Sequence, residues 1–294
     1  MWRSWAGVHR RVRSLSHGLR LLRGAFLSHT IRTMGLRLQR PDAMRILADT
    51  ADHHVARRAA LTKAQILDAA AEVTVVCVTQ RPSRLSEAIA NYQRQRYPNK
   101  RFVLITNSAA FDLDAVRVQM AALDSATSIH MDESTSLGAC LNLGIERSST
   151  RYLAKFDDDD SYGEQYLTDM MLAHRLVDAV IVGKKSYFAY LADLEQYVLR
   201  FPGHEYTYTS HVSGATLVID LSRIGRTRFP AVSVGEDTAF IRSCQRNSGS
   251  IFSADRFNYL QFRGTHNTWT LPSEDFARGS LVVDPKSRAG AINL

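Results

Sequence analysis

Residues 73–106 read VTVVCVTQRPSRLSEAIANYQRQRYPNKRFVLIT, and this stretch decides the fold. Val73-Thr-Val-Val-Cys-Val-Thr79 is a β-branched apolar run, the pattern of a strand buried on both faces. Arg81-Pro82-Ser83 breaks it, and Ser83 is placed to cap a helix that runs to about Arg96. Tyr97-Pro98-Asn99 stops the helix, and Arg101–Thr106 makes a second apolar strand. Strand, helix and strand in that order form one βαβ unit.

The same rhythm continues downstream. Residues 112–122 have helical character, Ser128–Met131 is a short strand, and Leu137–Arg147 is a helix. Tyr152–Phe156 is a fourth strand, Glu164–Val177 a helix and Ala179–Gly183 a fifth strand. The alternation predicts an α/β fold with a Rossmann-like, mostly parallel sheet and helices on both faces. Such sheets bind ligands beyond the carboxyl ends of their strands, which points to the loops after Thr79, Thr106 and Phe156. Beyond residue 183 the pattern is less regular, with strands expected at Tyr206–Thr209, Ala215–Ile219, Ile251-Phe252 and Phe257–Phe262. Gly235-Glu236-Asp237 opens a helix to about Arg246. With neither internal repeat nor low-complexity linker, residues 72–294 are expected to form one domain. The aromatic residues Tyr187, Phe188, Tyr190, Tyr197, Phe201, Tyr206 and Tyr208 are expected to be mostly core, the alternative being a stacking surface for a glycan.

Upstream the chain has a different texture. Of 294 residues, 45% are hydrophobic and 22% charged, which excludes a disordered chain. The formal net charge is +8, yet residues 1–40 alone hold nine Arg and no Lys, Asp or Glu. The remainder is therefore close to neutral, which argues against a nucleic-acid-binding body. Trp2, Trp5, Val8, Val12, Leu15, Leu19, Leu22 and Phe26 fall on one helical stripe, with most arginines off it. This basic amphipathic tail suits peripheral contact with an anionic membrane, or docking on a partner protein or on the body. An arginine-rich, acid-free presequence shares its composition. Residues 41–71 continue as a helical stalk or docking helix, where the adjacent His53 and His54 point to different faces and so make a poor metal pair. Three separated cysteines, Cys77, Cys140 and Cys244, give neither a zinc pattern nor a disulfide framework, which points to a reducing, cytoplasmic setting.

Asp157-Asp158-Asp159-Asp160 follows the fourth strand directly. Four carboxylates at a strand end repel one another unless a cation offsets them, and hard oxygen ligands suit Mg²⁺ or Mn²⁺. In an extended segment Asp157 and Asp159 project to one side, towards one ion, with Asp158 and Asp160 pointing elsewhere. A calcium EF-hand is excluded, because Tyr162 and Thr168 stand where its Gly and Glu are required. A phosphatase with a nucleophilic aspartate and a metal that grips a nucleotide diphosphate both remain open on the tetrad alone.

Three blocks in sequence order carry a resemblance. The stretch 73–108, the stretch SLGACLNLGIERSSTRYLAKFDDDDSYGEQYL over 136–167, and Gly235-Glu236-Asp237 together resemble family 2 glycosyltransferases of GT-A fold. The resemblance covers roughly residues 73–270. It implies that Thr79, Arg81, Asn107, Gly138 and Asn142 line the nucleotide, with Asn107 standing for a frequent Asp and Leu141 for a frequent Arg. It implies metal binding by Asp157 and Asp159, a ribose contact at Asp158, a late metal or phosphate contact at His266 and an acceptor or sugar wall at Trp269. Asp237 would be the catalytic base, with Glu236 beside it. The implied activity is metal-dependent, inverting transfer from a nucleotide-sugar donor, a UDP-sugar, to a glycan or cell-envelope acceptor. The alternative is a non-catalytic sugar-nucleotide or glycan binder tethered by its tail, which need not keep Asp237 and Trp269.

Overall fold

The computed structural model describes residues 40–63, 71–264, 271–286 and 292–294. The arginine-rich stripe, His266 and Trp269 lie outside these residues. Strand β1 (Val73–Thr79) lies between β2 (Lys100–Thr106) and β4 (Tyr152–Asp157), and β3 (Ala126–His130) adds to the far side of β2. All four run parallel. Val73, Val75, Cys77, Phe102, Leu104, Ala154 and Phe156 enter one apolar cluster, while Val76, Val103, Ile105 and Leu153 enter another. Burial of both faces is why these segments are continuous apolar runs rather than alternating ones.

Helices α2 (Leu85–Gln93), α3 (Leu113–Ala121) and α5 (Tyr166–Leu176) bury Ile89, Val116, Met120, Leu167 and Met170 on the first face. Helices α4 (Leu137–Arg147) and α6 (Glu236–Arg246) bury Cys140, Leu141, Ile145, Phe240 and Ile241 on the second. From β1 the chain steps outward through β2 to β3, and α4 then carries it back across the opposite face to β4. The carboxyl ends of β1 and β4 thus flank a topological switch point, the crevice where open α/β sheets bind ligands.

The rest of the main sheet is mixed. Strand β10 (Val218–Asp220) runs antiparallel to both β4 and β6 (Ile181–Gly183), followed outward by β11 (Ile251–Ser253) and β9 (Thr207–Tyr208). A second sheet, absent from the sequence expectation, orders β13 (Leu281–Val282), β8 (Gln196–Arg200), β7 (Tyr187–Leu191), β12 (Tyr259–Arg263) and β5 (Ser161–Tyr162). The aromatic run from residue 187 is one arm of its β7–β8 hairpin. Tyr187 and Phe188 are buried, whereas Phe201 and Tyr208 are exposed.

Two local expectations change. Pro82–Arg84 form a 3₁₀ turn closed by the Arg84 N–H on the Arg81 carbonyl (2.9 Å), and α2 has no side-chain cap, so Ser83 does not cap it. Helix α2 also ends at Gln93, three residues early. Helix α1 (Arg40–Lys63) seats on α5, with His54 Nε2 3.1 Å from Asp169 and Arg58 also bonded to Asp169. No described helix is long and apolar enough to cross a membrane.

Gly144 shows how tightly α4 rides on the sheet, since a Cβ there would fall 2.6 Å from Val76 Cγ1. Gly144→Ala gains helix propensity of about 1 kcal/mol but overpacks the interface, which costs about 1–3 kcal/mol. Urea denaturation is expected to give a lower midpoint for Gly144→Ala, largely restored by adding Val76→Ala.

Candidate active site

The aspartate tetrad sits at the switch point, and it is a turn rather than an extended segment beyond Asp157. The turn separates Asp158 from the other three side chains. Asp158 folds back towards β1, where it accepts from Thr79 Oγ1 at 2.5 Å and from Arg81 Nε at 3.2 Å. A second guanidinium nitrogen of Arg81 also bonds Asp158 and lies 3.0 Å from Asp159. Thr79 Oγ1 in turn accepts from the Arg81 N–H at 3.1 Å, so the loop after β1 is built around Asp158.

Asp160, which extended geometry points away from the pair, joins it instead. One carboxylate oxygen from each of Asp157, Asp159 and Asp160 lies within 4.8 Å of the others. Asp160 is anchored from the second sheet, accepting from Tyr259 Oη at 2.6 Å and from the Phe262 N–H at 3.1 Å. Burial, then Asp159 and Asp157, push the Asp160 carboxyl well above its ordinary range. Burial and Asp157 also raise Asp159, against the pull of Arg81. Converging oxygens that hold protons too tightly are the electrostatic mark of a site short of positive charge, and they fit a hard divalent cation.

Lys155 is the residue the sequence reading missed. Its side chain is 2% exposed, and Nζ reaches Asp157 Oδ1 at 2.6 Å and Asp237 Oδ2 at 3.1 Å. Burial alone would lower its pKa, but Asp157 and Asp237 outweigh that and raise it. The signal was present: a lysine inside a buried apolar strand must find a partner, and strand alternation sets it on the face of Asp157.

Glu236 and Asp237 begin α6 beside this lysine. The fold therefore brings together the tetrad and a pair of carboxyls about eighty residues later in the chain. Burial, and then Asp237, raise the Glu236 pKa from 4.5 to about 7. Asp237 is raised by burial and Asp157, against Lys155. Behind it sits Gly214, where any Cβ would run into the Asp237 carboxylate.

The remaining predicted residues divide. Asn107 lies at the end of β2, with its N–H on the Thr79 carbonyl (3.2 Å) and its amide nitrogen on Thr135 O (3.0 Å). Its Oδ1 is buried and has no donor. Gly138 and Asn142 are engaged elsewhere, on the strap 229–235 that leads into α6. Gly138 N–H donates to Val232 O at 3.0 Å, and a Cβ there would collide with the Pro230 carbonyl. The Asn142 amide exchanges two hydrogen bonds of 2.9 Å with the Phe229 backbone. In this structure both residues brace the segment that delivers Glu236 and Asp237.

A second acidic group lies away from the switch point, where atoms of His54, Asp169 and Asp255 converge. Lys184 bonds Asp255 at 2.8 Å and Arg58 bonds Asp169 at 3.1 Å, while Arg57 reaches His54 Nδ1 at 3.0 Å. Positive charge is already built into this cluster, which makes it a seat for α1 rather than a cation site.

Residues 73–210 match the family described as Glycosyl transferase family 2. That stretch is a family 2 glycosyltransferase domain. It holds the tetrad and ends before Glu236 and Asp237. Among solved structures, S. aureus TarS 1–349 in complex with UDP-GlcNAc matches with TM-score 0.55 and 13% identity, over 70% of this chain and 64% of that one. TarS 1–349 in complex with UDP matches with TM-score 0.52 and 14% identity, over 66% of this chain and 61% of that one. In a further TarS structure, with TM-score 0.52 and 15% identity, 70% of this chain covers 38% of the other. The chain thus spans less than two thirds of the length of these neighbours, and at such identities the likeness is one of fold. No curated protein matches the sequence. The expected GT-A type of fold is thereby established.

A carboxyl whose folded pKa is about 7 against an ordinary 4.5 makes the folded state bind more protons than the unfolded chain. Stability contributed by neutral Glu236 is present below pH 4.5 and is lost as pH rises to about 7. Glu236→Gln stays neutral throughout, so its melting temperature relative to wild type is expected to climb across that window and then level off. Thermal denaturation over a pH series checks this.

Proposed function

We propose that the chain transfers a sugar from a nucleotide diphosphate sugar, with inversion, to a hydroxyl of a glycan or cell-envelope acceptor. The observation that carries this is the juxtaposition at the switch point of the acidic turn Asp157–Asp160 with Asp237, linked through Lys155. A UDP-sugar is the donor we favour, supported by the fold shared with TarS structures solved with UDP-GlcNAc and UDP. The orphaned Asn107 Oδ1 would accept from the base, and Thr79 and Arg81 would border the nucleoside.

Asp157 and Asp159, backed by Asp160, would hold Mg²⁺ or Mn²⁺, which when bound neutralises the charge that grows on the leaving diphosphate. His266 and Trp269 keep their proposed roles as a late metal or phosphate contact and a wall of the sugar site. Asp237 takes the proton from the acceptor hydroxyl as its oxygen attacks the anomeric carbon. The bond from that carbon to the diphosphate oxygen breaks, and its electron pair leaves with the diphosphate. Glu236 orients the acceptor or the base. Carboxylates suit this division of labour because one group must bind cations while another must accept a proton. The basic tail, residues 1–40, would place the enzyme on the cytoplasmic face of a membrane or on a partner protein.

A thermal-shift screen of UDP-, GDP- and dTDP-sugars, with and without Mn²⁺, is expected to give a metal-dependent rise in melting temperature with one donor class. No stabilisation by any donor would count against the proposal. Asp237→Asn is expected to keep donor binding while transfer falls by about 10²–10⁴-fold, the usual loss for a positioned base. Asp159→Ala is expected to lose the Mn²⁺-dependent part of donor affinity in a calorimetric titration. Full turnover in the first variant, or unchanged affinity in the second, would remove the corresponding role.

A further inference from the structure

We infer that Lys155 is a positioning residue, which ties the base Asp237 to the donor-site carboxylate Asp157 and so sets the acceptor side of the reaction in register with the leaving group. The inference rests on the glycosyl-transfer reading and adds to it a residue that neither the sequence reading nor the family match singled out. The geometry is that of a bridge. One ammonium group lies 2.6 Å from Asp157 and 3.1 Å from Asp237, and its side chain is 2% exposed. No other described residue is bonded to both carboxylates.

The bridge stands on rigid supports. Lys155 lies within β4, opposite Val76 of β1, and its N–H donates to Leu217 O at 2.9 Å. Leu217 closes the short segment that starts at Gly214, the residue packed against Asp237. The same segment is held again where Tyr162 Oη donates to Ala215 O at 2.7 Å. Asp237 is therefore confined between an ammonium fixed in one strand and a backbone fixed to that same strand. Its helix reaches this place through the strap that Gly138 and Asn142 brace.

Such a group acts on rate by geometry. Removing it leaves Asp157 and Asp237 to repel each other across the vacated space, and the base moves away from the acceptor hydroxyl. A displacement of about 1 Å from near-attack geometry costs about 10²-fold. Donor binding does not need the lysine: Asp158 and Asp159 are held by Arg81, and Asp157, relieved of its ammonium partner, still presents its carboxylate to the cation.

A double-mutant cycle tests this, using wild type, Lys155→Met, Asp237→Asn and Lys155→Met/Asp237→Asn with the donor identified by the thermal-shift screen. Steady-state transfer gives kcat and the donor KM, and calorimetry gives the affinity for UDP in Mn²⁺. The expected result is a kcat lowered about 10²-fold in Lys155→Met, with UDP affinity not weakened. The double variant is expected to match Asp237→Asn alone within about twofold, because a residue that acts through another adds nothing once that other is gone. A UDP affinity that falls in step with kcat would overturn the inference by making Lys155 a donor-site or folding residue. Effects that multiply in the double variant would overturn it too. A full-speed Lys155→Met sinks this inference alone, whereas a full-speed Asp237→Asn sinks the base assignment along with it. If Lys155→Met does not fold, Lys155→Gln takes its place in the same cycle, since it removes the charge that spans the two carboxylates while leaving a polar group in the strand.

Discussion

Six carboxyl groups crowd the carboxyl ends of β1 and β4, and the site is organised around what offsets their charge. Arg81 and Lys155 are the cations bonded into the group, each spanning two carboxylates. They do not neutralise it, and the residue is visible as raised proton affinity at Asp159, Asp160, Glu236 and Asp237. A surface cluster of acids would simply be solvated. Here burial turns mutual repulsion into a standing demand for positive charge, and a divalent cation carrying a diphosphate is chemistry that answers it.

The two cations divide the site into halves. Arg81 draws Asp158 and Asp159 towards the loop after β1, on the side where Thr79 ends β1 and Asn107 follows β2. Lys155 draws Asp157 towards α6, on the opposite face of the sheet. Lys155 and Asp157 share one face of β4, and the turn that follows carries Asp158 and Asp159 to the other side, so one short stretch serves both halves. Glycines then admit the second half. Gly214 leaves room for the Asp237 carboxylate, and Gly138 leaves room for the strap before it. Neither has an unusual backbone angle, so what selects glycine at these two places is close approach and not conformational freedom.

The sequence made some of this legible. The strands from Val73, Arg101 and Tyr152 were recognisable because burial on both faces leaves an unbroken apolar run, and they recur in the structure within a residue or two. The tetrad stood out because four acids at a strand end need an explanation. The second sheet was not legible. Its strands are short, its β7–β8 hairpin is rich in aromatics, and its β5 is a two-residue pairing that exists only because β12 lies beside it. Within the site, an extended backbone would point Asp160 away from Asp157 and Asp159, and the turn after Asp157 brings it to them instead. The resemblance implies that Gly138 and Asn142 line a nucleotide, and in the structure their polar groups bond a strap about ninety residues downstream.

What the sequence determined by itself is the alternating α/β order, the parallel strands around β1 and the presence of a strongly acidic turn at the mouth of the sheet. These follow from local periodicity and composition, which need no knowledge of distant residues. Only the tertiary structure decided that Lys155 bridges Asp157 and Asp237, that Asp160 joins the acidic group, and that His54 helps seat α1 on the body. The physical reason is the same in each case. A buried charge is tolerated only where a partner stands within hydrogen-bonding reach, and the partners here come from elements far apart in the chain.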